Sequence, residues 1–186
     1  QKIGFLHSLK FNSIPEISGY STIAIVPASS RIPIKNFSFE LNSALNLICP
    51  TAIVDSGCIK IKQSNPIISR FRYLQLITQL EADNYMVLWV CDQTFSYWTK
   101  QCILHADLIL IVASIDENYT PHVLEEKINE IENLRTPQHL VLLHKEHLYV
   151  PPENTALWLQ ERKWISDFHH IRCHQRIYRD EVLLQT

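Results

Sequence analysis

The fold is decided at residues 85–114, which read YMVLWVCD (85–92), QTFSYWTKQCILHA (93–106) and DLILIVAS (107–114). The outer two stretches are almost wholly apolar, and each ends in a small or acidic residue. A strand is continuously apolar only when both of its faces are covered, as in the centre of a parallel α/β sheet. The run therefore predicts strands at Met86–Cys91 and Leu108–Ala113, joined by an amphipathic helix over Ser96–Ala106.

The remainder of the chain repeats this alternation of strands and helices. Further strands are predicted at Ser21–Ala28, Thr51–Asp55 and Gln138–His144, and further helices at Phe37–Ile48, from Pro66 to about Glu81, and at Pro121–Leu134. Strands alternating with helices predict a three-layer α/β sandwich around a mainly parallel, Rossmann-like sheet. The order of the strands in the sheet cannot be deduced from the pattern.

Composition indicates a globular intracellular protein. With 186 residues and a net charge of -2, the chain suits one domain and has no general attraction to nucleic acid. We expect residues 1–20 to be a linker that packs on the domain and 21–150 to be its core. Residues 151–186 should form a C-terminal helix from Asn154 to about Lys163, an edge strand at Phe168–Cys173 and an arm at Tyr178–Thr186. The chain begins with Gln1, so we expect a fragment of a longer, cytoplasmic protein, with membrane association of the parent left open.

Two kinds of site are excluded or disfavoured by the sequence. The three glycines, Gly4, Gly19 and Gly57, cannot form G-x-x-x-x-G-K-[ST] or G-x-G-x-x-G, so no glycine-rich phosphate loop exists. Five cysteines without a C-x-x-C unit indicate reduced, mostly buried thiols.

Ligands of parallel sheets bind beyond the carboxyl ends of the strands, and polar residues lie at those ends here. A nucleotide or another anion would be held there by Ser29, Ser30, Arg31, Asp92 and Asp116. Asp92 could hold a metal ion or orient water, but the favoured interpretation is that it caps the following helix, with Thr94 or Ser96 as the other candidate caps.

Neither a nucleophile nor a metal centre is expected. Ser56 and Cys58 lack the G-x-S-x-G elbow that exposes a nucleophile. The nine histidines do not follow a known ligand spacing, so hydrogen-bonded or solvated side chains are predicted, without a metal. No cofactor is expected.

An ordered set of segments resembles the neuropathy target esterase group of patatin-like lysophospholipases. It consists of TIAIVPAS, PIKNFSFELNSAL, VLWVCD, WTKQCILHADLILIVA, HLVLLHKE and ALWLQERKWISDFHHIRCHQRIY, from about Thr22 to Tyr178. The block W-T-x-x-C-[IL]-x-x-A-D-x-I-L-I-V is the most specific of these.

The resemblance implies a place between cyclic-nucleotide-binding-like domains and a patatin hydrolase domain, which would be the partners of this module. It implies a parent that hydrolyses lysophospholipids and whose G-x-S-x-G serine follows Thr186. Because this chain has neither G-x-S-x-G nor D-G-[GA], no catalytic residue is implied in it.

A weaker likeness connects the chain to the ParA/MinD class of P-loop ATPases. VLWVCD is similar to their acidic strand and ADLILIVAS to the strand after it, but Pro27–Arg31 stands where their phosphate loop would be. The alternative function is therefore a degenerate nucleotide- or anion-binding module.

Overall fold

The computed structural model describes residues 19–58, 75, 77–145 and 154–173. Within these ranges the strands are β1 (Thr22–Pro27), β2 (Thr51–Val54), β3 (Met86–Val90), β4 (Leu108–Ser114), β5 (Gln138–Lys145) and β6 (Asp167–Cys173). The helices are α1 (Ile34–Leu45), α2 (Tyr97–His105), α3 (Val123–Asn129) and α4 (Thr155–Gln160), and residues 77–83 are also helical.

The six strands form one sheet in the order β2-β3-β1-β4-β5-β6, and every neighbouring pair is parallel. This confirms the predicted fold class. β1 pairs with β3 on one side, where Ala24 lies opposite Trp89, and with β4 on the other, where Ala24 lies opposite Ile109. From β1 the chain passes over one strand position to β2, and β3 then fills the position between them. β4, β5 and β6 follow in order on the other side of β1. The carboxyl end of β1 is therefore at the point where the direction of the strand order reverses.

Alternate residues of the central strands enter two separate cores, one on each face of the sheet. On one face Ile23 and Ile25 pack with Phe37 and Leu41 of α1. On the other face Ala24 and Val26 belong to a cluster shared with α2, α3 and α4, represented by Trp98, Cys102, Leu124, Ile128 and Trp158. This two-sided burial is the physical reason why β1, β3 and β4 are continuously apolar.

The bounds of α1 and α3 differ from the sequence prediction at both ends of each helix. α1 begins at Ile34, three residues before the expected Phe37, because Pro33 has a φ of -73° and can stand at the N-cap. α3 ends at Asn129 rather than Leu134, and Asn133 has a φ of 61°, which a right-handed helix does not allow.

The proposed domain limits fall partly outside the described residues. The linker is described only from Gly19, and the predicted arm after Tyr178 and most of the helix from Pro66 lie outside the described ranges. The predicted edge strand at Phe168–Cys173 corresponds to β6, which begins one residue earlier.

Candidate functional site

The edge formed by the carboxyl ends of the strands carries a network of hydrogen bonds around the turn between β1 and α1. The Ser29 hydroxyl donates to Glu117 Oε1 in the segment after β4, at 2.9 Å. The Gln93 amide, just after β3, donates to the Ser30 carbonyl at 3.1 Å. The turn that replaces a phosphate loop is therefore tied to both neighbouring strands, and one of its partners is a carboxylate.

Four backbone amides of this turn donate hydrogen bonds to other atoms of the protein. Ala28 N–H donates to Val112 O at 2.8 Å, Arg31 N–H to Ser29 Oγ at 3.2 Å, and Ile32 N–H to Ser29 O at 3.4 Å. Ile34 N–H donates to Ile32 O at 2.7 Å, and Pro27 and Pro33 have no amide proton. A phosphate loop works through amides that point at the anion, and these four amides point elsewhere.

Asp92 is engaged through both of its carboxylate oxygens. Oδ1 accepts from the Ser56 hydroxyl at 2.7 Å and Oδ2 from the Ser96 hydroxyl at 2.5 Å. Ser96 is the N-cap of α2 and accepts from Thr99 N–H, while Thr99 Oγ1 accepts from Asp92 N–H. Of the three candidate caps, Ser96 is therefore the correct one. Asp92 is not the cap but accepts a hydrogen bond from the Ser96 hydroxyl.

The five residues predicted to hold an anion do not share one set of contacts. Ser29, Ser30 and Arg31 lie in the turn after β1, and Asp92 faces Ser56 at the end of β2. Asp116 follows β4 and interacts with His144 of β5. Burial lowers the pKa of His144, and the charge of Asp116 opposes this effect without reversing it. Whether these residues bind a ligand remains a prediction.

The end of β5 and its neighbour β6 hold a pair of histidines that the sequence did not connect. His144 Nε2 lies 2.7 Å from His170 Nδ1, and His170 Nε2 lies 3.2 Å from the Thr155 hydroxyl of α4. Burial lowers the pKa of His170, and the neighbouring His144 and His169 lower it further. The lowered pKa values favour the neutral form of both rings. Two neutral rings can share this hydrogen bond if the facing nitrogen of one carries a proton and that of the other does not.

The thiols and the serine considered from the sequence lack the features of nucleophiles. Cys49, Cys91, Cys102 and Cys173 are buried and Cys58 is exposed, and all five are free. Burial raises the pKa of the Cys173 thiol to about 12, which disfavours the reactive thiolate. Ser56 donates to a carboxylate that is itself the partner of Ser96, so no imidazole base is placed on it in the described network.

Comparison with known proteins identifies the family. The chain matches the Neuropathy Target Esterase family P-loop like domain over residues 19–185. It belongs to the neuropathy target esterase family. It is 34% identical over 168 residues to neuropathy target esterase sws of Drosophila erecta, and 33% identical over 167 residues to the protein of that name in Drosophila melanogaster.

These alignments cover 88% of this chain but only 11% and 12% of the two relatives, so the chain spans about a ninth of their length. The family model describes a P-loop-like domain, and this chain has a parallel sheet of that kind, whereas its β1–α1 turn has no glycine. Within the described residues, no helix is both long enough and apolar enough to cross a membrane.

Proposed function

We propose that this chain is a non-catalytic module of a longer, intracellular patatin-like lysophospholipase. It would hold the hydrolase domain relative to cyclic-nucleotide-binding-like domains of the same protein, and either transmit regulation between them or fix their spacing. Membership of the neuropathy target esterase family and the small share of the relatives' length that the chain covers support this proposal. The observation that carries it is the internal use of four amides of the β1–α1 turn, those of Ala28, Arg31, Ile32 and Ile34.

The arrangement of the β1–α1 turn opposes phosphate binding in two independent ways. The amides of Ala28, Arg31, Ile32 and Ile34 donate to carbonyl and hydroxyl oxygens of the protein, so a phosphate that used any of them would have to break these bonds. In addition, Glu117 accepts a hydrogen bond from Ser29, so a carboxylate lies beside the turn and would repel an anion. The P-loop-like fold thus keeps its sheet while the turn serves to hold the protein together.

The sequence block that most specifically carries the family resemblance has structural roles. Trp98 donates from its indole to Val90 O at 2.8 Å, and Thr99 links Asp92 N–H to Thr94 O. Cys102 is fully buried.

Asp107 of the same block accepts at Oδ2 from the amides and hydroxyls of Ser21 and Thr22, each at 2.9 Å, and so joins the start of β1 to β4. These contacts support a role as a scaffold.

Trp158 does not contribute to the contact surface that we propose. Trp158 is buried, and its ring lies 4.7 Å from the guanidinium carbon of Arg162. Tyr97 and Leu104 of α2 are 63% and 50% exposed, and their spacing of two turns puts them on one helix face. We assign this face to a contact with another domain of the longer protein, because most of the relatives' length lies outside the matched region.

The first test is calorimetric titration of the chain with ATP, GTP and cyclic nucleotides in the presence of Mg²⁺. We expect no saturable heat at ligand concentrations up to about 1 mM, since a weaker interaction would correspond to less than about 4 kcal/mol. The same preparation should not hydrolyse lysophosphatidylcholine. Saturable binding that is lost in Arg31→Ala or Asp92→Ala would instead favour the degenerate nucleotide- or anion-binding module, and turnover abolished by Ser56→Ala would favour a hydrolase.

The second test concerns the contact face of α2 in the longer protein. Tyr97→Glu together with Leu104→Lys should change its lysophosphatidylcholine turnover by about 5-fold or more, the lower end of usual coupling energies. The new charges match the helix dipole, so the unfolding midpoint of the isolated domain should not fall. Phe39→Glu, at an equally exposed apolar residue on the opposite layer, is the control. Unchanged turnover in the double variant would reject the assigned face.

A further inference from the structure

The opposite end of β5 and β6, at their amino ends, brings together three side chains that can ligate a metal ion. One ligand atom from each of His139, Asp167 and His169 lies within 4.8 Å of the others. His139 is opposite Asp167 in the parallel register, and His169 follows Asp167 by two positions on the same face of β6. Two adjacent strands therefore present all three groups to one side of the sheet.

We propose that His139, Asp167 and His169 bind one zinc ion. The distance from His169 Nε2 to His139 Nδ1 is 3.2 Å. Two imidazole nitrogens bound to a single tetrahedral zinc, with bonds of about 2.0–2.1 Å, lie about 3.3 Å apart. The metal-free arrangement, in which one ring donates to the other, thus already has the nitrogen spacing that the bound ion requires.

The side chains also provide the ligand chemistry that zinc prefers. Imidazole nitrogen and carboxylate oxygen are two of its usual ligands, and three protein ligands leave a fourth position for water. Burial lowers the pKa of His139 and the adjacent His169 lowers it further, while Asp167 opposes them. An imidazole ligand binds a metal ion through a nitrogen that carries no proton.

Access and support are consistent with a site at the sheet edge. His169 is buried, His139 is half-buried, and Asp167 is exposed, so the carboxylate lies on the solvent side. Asp167 Oδ1 accepts from Phe168 N–H at 2.8 Å, which restrains the carboxylate beside the two rings. A bound ion would join β6, the outermost strand, to β5 at the end of the sheet far from the β1–α1 turn.

The pair of His144 and His170 offers a control within the same two strands. Its nitrogens are also close, at 2.7 Å, but the second nitrogen of His170 is engaged with Thr155. Among the residues that the structure describes, only the group of His139, Asp167 and His169 collects three such ligands. The proposed site is therefore specific to one of two neighbouring histidine pairs.

The test is a zinc titration of the chelator-treated 186-residue chain against a chromophoric competitor. It uses the Cys58→Ser background, which removes the exposed thiol. We expect one zinc ion per chain, and we expect His139→Gln and His169→Gln each to weaken binding by more than about 10-fold, the lower bound for changes around a metal site. His144→Gln should leave the affinity unchanged. Cobalt should give the visible absorption of a four-coordinate nitrogen and oxygen site.

A folding control keeps the outcome decisive. The unfolding midpoint of each metal-free variant is measured first, and Asp167→Asn, at an exposed position, replaces any histidine variant that does not fold. Saturating zinc should raise the unfolding midpoint of the 186-residue chain with its three proposed ligands intact, but not that of Asp167→Asn. Binding below one ion per chain, or binding equally tight in the ligand variants, would overturn the proposal.

Discussion

Replacing Arg162 by methionine should lower the free energy of unfolding by about 3–5 kcal/mol, because it leaves the buried Glu125 without its counterion. The guanidinium donates from Nε to Glu125 Oε2 at 2.7 Å and from Nη2 to Oε1 at 2.8 Å. The two side chains are 1% and 0% exposed. A third guanidinium nitrogen donates to the Tyr119 carbonyl, and the group lies over the Trp158 ring.

The size of the effect follows from the burial of both side chains. An isolated carboxylate in the interior loses its hydration without gaining a counterion, so the cost greatly exceeds the net worth of the intact pair. Because Arg162 follows α4 and Glu125 belongs to α3, the pair also fixes these two helices to each other. The loss should therefore appear as a lower urea midpoint with little change in slope.

Two comparisons separate this effect from a general loss of charge. Glu125→Leu combined with Arg162→Met should be more stable than either single variant, since no unpaired charge remains. Lys35→Met removes the cation of an ion pair whose side chains are 79% and 29% exposed, and should cost less than about 1 kcal/mol. If Arg162→Met and Lys35→Met lost the same free energy of unfolding, burial would add nothing to the contribution of an ion pair in this protein.

The sequence predicted the elements whose environment is uniform along their length. β1, β3 and β4 are buried on both faces, so their composition alone shows that they are central strands. Strand order could not be predicted, because β3, inserted between β2 and β1, looks the same in sequence as a strand beside β4. The right-handed rule for connections does not decide this, because a connection can pass over one strand position or none, and that depends on the packing of the whole sheet.

The important polar groups were missed for a related reason. Arg162 lies in the polar run Glu161-Arg162-Lys163, which is typical of a solvated surface, although Arg162 is buried. His139 and His169 are far apart in the chain, and only the register of β5 against β6 places them together. The i, i+2 spacing of His169 and Asp167, the residue just before the predicted edge strand, was the one available signal. Because the strand order was unknown, this spacing could not be connected with His139 on β5.

The interface between α1 and the sheet provides the second prediction with a large expected effect. Leu41→Ala should lower the free energy of unfolding by about 2–5 kcal/mol, through lost burial and the cavity that remains. Leu41 is 1% exposed and belongs to the apolar cluster that includes Phe37 of the same helix and Ile25 and Leu88 of the sheet. Equilibrium urea unfolding, followed by circular dichroism, measures the change.

Leu47→Ala is the matched control, because it removes the same atoms from a leucine that is 66% exposed just beyond the same helix. Its effect should stay within about 0.5 kcal/mol. Among the described helices, α1 alone packs on its face of the sheet, so it directly connects that core to the β1–α1 turn. If Leu41→Ala were as mild as Leu47→Ala, α1 would not hold the turn in place, and the hydrogen bonds around Ser29 would have to do so alone.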